Sequence, residues 1–283
     1  MVPDPQVLLG GLFIGALYGL SAMGFQFIMA TTGEVCLAYG HLWAVAALMA
    51  STLLAIFVMP LWMLFLGLPA IGFVLGWAGH PARIWRRAGT AARSRAFFLA
   101  TLGLALIIED WGARLWPLPA TALAWAPPPW QIAGVVLPPF KVLGVACVVA
   151  LALALSMGLR QRRWGYALRA WDYGRGPIWL AGVDPCLTGR LALGLGLAIA
   201  GVAGGFLAFS YTISIQEGLT LTLRCLVIAV LAGVLSPWRV LAVALVIGVG
   251  EALVGHWAGA QWAPALSYLL LLAAAPMHRE SAS

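Results

Sequence analysis

Nine predominantly apolar runs follow one another along this chain: Gln6–Ala30, Val35–Met59, Leu61–Ala78, Ala96–Trp116, Phe140–Leu159, Leu191–Tyr211, Leu221–Leu235, Val240–Trp257 and Trp262–Ala275. A helix needs roughly 20 apolar residues to cross about 30 Å of hydrocarbon. The runs therefore predict an all-α fold, a polytopic bundle of transmembrane helices. The seventh and ninth are short, so the expected count is eight or nine, with the short ones re-entrant or tilted. Too little chain lies between the runs for a separate soluble domain, and residues 1–283 are read as a single membrane domain. Asp4 and the absence of a basic segment before the first run read as a retained first span, not a cleaved leader.

With 63% hydrophobic residues, 9% charged residues and a mean hydropathy of +0.98, the chain could not stay soluble without exposing large apolar patches. The net charge of +7 does not indicate nucleic acid, because its basic residues, all arginine except Lys141, sit between apolar runs. The positive-inside rule accounts for that placement. Arg83, Arg86, Arg87, Arg93 and Arg95 lie between the third and fourth runs, and six arginines lie between Arg160 and Arg190. Both segments should be cytoplasmic. The uncharged, Pro- and Trp-rich stretch Pro117–Pro139 should face outside, with the N-terminus outside and His278 and Arg279 inside.

Cys36, Cys147, Cys186 and Cys225 stand far apart and read as small packing residues. The four histidines are scattered, so no metal site is expected. The chain has no GxxxxGK[ST] element, no HExxH and no paired aspartates of the intramembrane-protease kind. It should be neither an ATPase nor an enzyme, and it needs no cofactor of its own.

Small residues recur at helical spacing at Gly11, Gly15 and Gly19, and again at Ala192, Gly196, Ala200, Gly204 and Ala208. Such stripes let helix backbones approach closely in lipid, and they are read as bundle packing. Ionisable groups inside the apolar runs are the next signal, since lipid exposure costs at least roughly 2.5 kcal/mol. Glu251 reads as a pathway residue or as the partner of a buried arginine such as Arg224. Glu109, Asp110 and Arg114 are spaced for a local ion pair. Glu34 and His41 bracket the turn after the first run, where contact with interfacial water is expected.

The longest polar stretch begins GYALRAWDYGRG at Gly165 and runs to Leu191, too long for a mere connector. A short amphipathic helix here could dock into a groove on a soluble partner, or the loop could rest on anionic lipid headgroups. This segment resembles the cytoplasmic loop of the branched-chain amino acid ABC permeases, a GxAxRA element followed by an A-x-GI-like step and a Gly-rich span. The matching positions are Gly165, Ala167, Arg169 and Ala170, then Ala181, Gly182 and Val183, then Gly201, Gly204 and Gly205. The first run, GLFIGALYGLSAMGF from Gly11 to Phe25, the step Thr101–Gly103, and Arg224, Val230, Leu231, Gly233 and Glu251 are similar to that family in the same order. Two elements depart from it. Cys36–Gly40 stands where the family has N-[FL]-A-[HQ]-G, with His41 following, and AGVLSPWRV at Ala232–Val240 replaces a Gly-rich turn.

The resemblance implies the permease subunit of an ABC importer in a bacterial inner membrane, carrying a small polar solute, foremost branched-chain amino acids, with urea or amides as related cargo. It implies ATPase subunits that hydrolyse the ATP, a second permease, identical or homologous, and a periplasmic solute-binding protein. The loop from about 160 to 190 would couple to the ATPase through Gly165, Ala167, Arg169, Ala170, Asp172, Ala181, Gly182 and Val183. Tyr39, His41, Thr101 and Glu251 are the expected pathway residues. The competing reading is a self-contained secondary transporter or channel that uses buried acids such as Glu251 and Glu109 for ion coupling. A non-transporting scaffold would not need those acids.

Overall fold

A computed structural model describes residues 5–56, 60–79, 90–120, 128, 130–132, 135–161, 185–233 and 236–280. Among them lie nine α-helices: α1 (Pro5–Thr32), α2 (Tyr39–Ile56), α3 (Leu61–Gly79), α4 (Thr90–Leu115), α5 (Pro139–Gln161), α6 (Pro185–Ala208), α7 (Gly218–Ala232), α8 (Pro237–Trp257) and α9 (Ala263–Glu280). Eight, α1 to α8, are long and apolar enough to cross a membrane. The short seventh run qualifies because the 3-10 turn Ile215–Glu217 extends α7 to an 18-residue span. The ninth run becomes α9, whose last turn is the polar MHRE.

The expectation of an all-helical chain is met except in the Pro117–Pro139 stretch. There β1 (Trp130–Ile132) and β2 (Val135–Leu137) form an antiparallel hairpin, and Ala120 bridges Ile213 through backbone bonds of 3.0 and 3.1 Å. Trp116 donates from its indole nitrogen to Thr52 Oγ1 at 2.7 Å, and Phe140 stacks on Phe209 at 4.2 Å. These contacts gather the C-termini of α2, α4 and α6 and the N-terminus of α5 at one end of the bundle, here termed the hairpin end. At the opposite end Gln26 donates to the Gly233 carbonyl at 2.8 Å, which ties α1 to the close of α7.

Helix α1 is the axis of the bundle, packed against α5, α6, α7 and α8, while α2 sits between α6 and α7. The glycine stripes do what their spacing predicts. Gly15 presses on the Ala244 carbonyl and on Gly248, and Gly11 meets Gly248 and Ala252, so α1 and α8 touch backbone to backbone. Gly24 and Gly196 bring α1 and α6 together in the same way, and Gly204 seats the Trp43–Ala47 turn of α2. Without side chains between them, dispersion over the close backbones replaces the hydrophobic force that lipid removes. The outer helices α3, α4 and α5 turn large apolar residues such as Leu66, Val74, Leu99, Ile107 and Leu143 outward.

Helix α2 begins inside the bundle rather than at its edge. Tyr39, its first residue, meets Ser21 and Gly24 on α1, and Gly24 lies eight residues, about 12 Å of helix, before the end of α1 at Thr32. Residues 33–38 therefore double back along α1. Non-helical backbone at membrane depth is tolerated only where protein satisfies it, and here it is satisfied. Gly40 N–H donates to Thr222 Oγ1 at 2.9 Å, and the Thr222 hydroxyl lies 3.0 Å from the Leu37 carbonyl and 3.1 Å from that of Gly218. Tyr39 N–H donates to Cys36 O at 3.2 Å. Gly40 permits this approach, since a Cβ there would run into the Gly218 carbonyl and the Thr222 backbone.

The expected coupling-loop positions Gly165, Ala167, Arg169, Ala170, Asp172, Ala181, Gly182 and Val183, and Arg83, Arg86 and Arg87 of the segment expected to be cytoplasmic, lie outside the described residues. Cys36 and Cys225 are buried, and Cys147 and Cys186 are half-buried.

Candidate functional site

Polar side chains inside this bundle collect in three places. The first is a charge cluster joining α7, α8 and α9. Arg224 Nε donates to Glu251 Oε1 at 3.2 Å, the same oxygen accepts from Ser267 Oγ at 2.5 Å, and the Arg224 guanidinium lies 5.1 Å over the Tyr18 ring of α1. Glu251 is 5% exposed. Of the two readings for Glu251, the geometry supports the partner of buried Arg224. Gly250, beside it, is overlain by Leu266 of α9, and Gly248 faces α1, so small residues on both sides let neighbouring helices close around the acid.

The second place surrounds Tyr39. Its hydroxyl donates to the Ser21 carbonyl at 2.8 Å, lies 3.3 Å from the Gly196 carbonyl and accepts a longer contact from Ser21 Oγ at 3.5 Å. Phe25 packs edge-on against the ring at 5.5 Å. Tyr39 is fully buried and acts as a strut between α1, α2 and α6.

The third place corrects two expectations. His41 does not touch interfacial water: it is 2% exposed, with its ring pressed against Gly218 at the start of α7. Glu109 does not share in a local ion pair on its own helix. Its Oε2 lies 3.4 Å from His41 Nε2, while Asp110 and Arg114 form the i, i+4 pair at 2.9 Å on the exposed face of α4. The reason is the start of α2 inside the bundle, at Tyr39, which lifts His41 out of the turn and sets it beside α4. His41 Nδ1 is buried and has no hydrogen-bond partner among the described residues, as is the indole nitrogen of Trp43.

Thr101 stands apart from all three. It is buried, and its hydroxyl donates to Phe98 O of its own helix at 3.0 Å. The structure thus brings His41 together with Glu109, places Tyr39 two residues away on the same helix, and leaves Thr101 and Glu251 in separate surroundings. Among the described residues no group of three or more His, Cys, Asp or Glu is arranged to hold a metal ion. Sequence reasoning missed Ser21, Gln26, Thr222 and Ser267. Each is a lone polar residue within an apolar run, and that was the signal available.

The bundle combines close glycine contacts, a buried ion pair and a doubled-back α2, and its sequence matches one family across almost its full length. The profile described as branched-chain amino acid transport system / permease component covers residues 7–275. The chain belongs to this family. It is a multi-pass membrane protein and a transport component, not an enzyme. It is similar to the high-affinity branched-chain amino acid transport system permease protein LivH of Salmonella typhimurium, 23% identical over 283 residues, covering 94% of this chain and 91% of the relative. LivH of Escherichia coli K12 is 23% identical over 287 residues, with the same shares covered. No solved structure matches. For a permease of this family the Glu251–Arg224 pair, with Ser267, is a built-in tie between three helices, and the His41–Glu109 pair connects α2 to α4.

Proposed function

We propose that this chain is the membrane-spanning permease subunit of an ABC importer that carries branched-chain amino acids across a bacterial inner membrane. The observation that carries the reading is the family match across residues 7–275, joined to the branched-chain amino acid transport for which the LivH relatives are named. The chain has no P-loop, so ATP hydrolysis falls to partner subunits. A second permease and a periplasmic solute-binding protein complete the assembly. On this reading the hairpin end faces the periplasm, and the arginine-rich segments face the cytoplasm.

The loop from about 160 to 190 is the coupling element. Gly165, Ala167, Arg169, Ala170, Asp172, Ala181, Gly182 and Val183 meet the ATPase, and Arg169 is the polar anchor because a guanidinium bonds carboxylates and helix-end carbonyls in pairs. Tyr39 and His41 belong to the part of α2 nearest the solute path. The ion-coupling role that the competing reading gives Glu251 is disfavoured, because Arg224 neutralises that acid at 3.2 Å.

The test is uptake of radiolabelled L-leucine into proteoliposomes holding the permease with the ATPases and binding protein encoded beside it. Uptake should require ATP and the binding protein, and Arg169→Glu should abolish it while lowering co-purification of the ATPase. Leucine uptake by the permease alone, driven by an ion gradient, would overturn the reading.

A further inference from the structure

We propose that Glu109, held in place by His41, is a recognition site for the ammonium group of the transported solute. The inference rests on the importer reading above and adds to it a residue that determines specificity.

Glu109 sits six residues before the end of α4, directly after the apolar stretch Ala100–Ile108. Its carboxylate is 40% exposed at the bundle surface. A carboxylate on an otherwise apolar helix normally faces a partner or a polar path. The nearest cation on its own helix is already taken, since Arg114 is held by Asp110 at 2.9 Å. What remains among the described residues is His41 Nε2 at 3.4 Å, longer than the 2.7–2.9 Å typical of a charge-assisted bond. An ionised carboxylate offers about four acceptor positions, and one long contact leaves most of them open. An ammonium group brings three donors and a full positive charge to fill them.

His41 aims the carboxylate. Its ring is pinned between helices, because Gly218 lies directly against its Cδ2 and Cγ and because Gly40, next to it, is bonded to Thr222 on α7. With Nε2–H donating to Glu109, the imidazole fixes one carboxylate oxygen and leaves the other for the solute. Among the described residues helix α4 touches α2 and the 3-10 turn Ile215–Glu217, where Gly112 meets Ile215. The pair therefore also sets the position of α4 at the hairpin end. His41 is a positioning residue, and Glu109 is the group that touches the solute.

The experiment measures L-leucine uptake per assembled transporter in proteoliposomes at saturating binding protein, for wild type and for Glu109→Gln, Glu109→Asp, His41→Leu, His41→Gln and Asp110→Asn. Losing a charge-assisted hydrogen bond to the solute should slow uptake at least roughly tenfold in Glu109→Gln. His41→Leu should do the same. Glu109→Asp keeps the charge and His41→Gln keeps a donor near the Nε2 position, so both should stay within about threefold of wild type. Asp110→Asn should transport normally. Wild-type leucine uptake by Glu109→Gln would overturn the proposal, and so would losses in Glu109→Asp and His41→Gln as large as in Glu109→Gln. Both outcomes leave ATP-driven import by the wild type intact. If the wild-type complex imports urea in place of leucine, the ammonium site and the branched-chain cargo are both wrong, while ATP-driven import stands. If it shows no ATP-dependent uptake of either, the importer reading itself fails.

Discussion

Replacing Glu251 with Gln takes from Arg224 its ion-pair partner inside the bundle. At 3.2 Å and an effective dielectric constant near 20, the pair attracts by about 5 kcal/mol. That figure agrees with the roughly 3–5 kcal/mol lost when one partner of a buried pair is removed. Both groups are well enclosed, with side-chain exposures of 6% for Glu251 and 14% for Arg224, so solvent screening takes away little. Ser267 adds to the loss because its hydroxyl is aimed at the same oxygen. Glu251→Gln and Arg224→Met should each destabilise the purified permease by about 3–5 kcal/mol in SDS titrations from mixed micelles. The double variant removes both charges and should recover at least half of that, because a well-packed apolar replacement of a buried pair is often neutral or better. Recovery of leucine uptake in the double variant would mark the pair as a structural tie rather than a solute contact. The reasoning is refuted if Glu251→Gln unfolds within about 1 kcal/mol of wild type, or if the two losses simply add in the double variant.

Gly15→Leu should sharply lower the yield of folded protein, because its side chain would enter the Ala244 carbonyl and Leu245 backbone of α8, whereas Gly103→Leu on α4, with no atom within 4 Å of its added Cβ, should express normally. Gly40→Val should disrupt the buried start of α2, read as increased protease sensitivity or maleimide labelling at Cys36; unchanged resistance would mean that residues 33–38 do not double back into the bundle. In native membranes a permeant maleimide should label the half-buried Cys147 and Cys186 and spare Cys36 and Cys225 until the protein is unfolded. Cysteines placed at positions 87 and 163 should be shielded from an impermeant reagent in intact cells and one at 125 labelled; the reverse pattern would invert the orientation.

The sequence by itself determined the class of this protein. Long apolar runs in lipid have few options other than helices, and the spacing of Gly11, Gly15, Gly196 and Gly204 already marked the faces along which backbones touch. The burial of Glu251 was legible for the same reason, since lipid penalises an exposed acid whatever the fold, and Arg224 was visible as a partner. The count of spans was left between eight and nine because hydropathy does not register the 3-10 turn before α7. The site around His41 was not legible. Its partner Glu109 is 68 residues away, and the apolar run from Val35 onward gives no sign that the helix starts only at Tyr39. That start is decided by tertiary contacts, in which Gly40 yields room to α7 and Thr222 satisfies the backbone that the turn leaves open. Local pattern reports what each segment prefers in lipid. Which helix end lies halfway down another, and which acid therefore meets which imidazole, follows only from how the segments pack together.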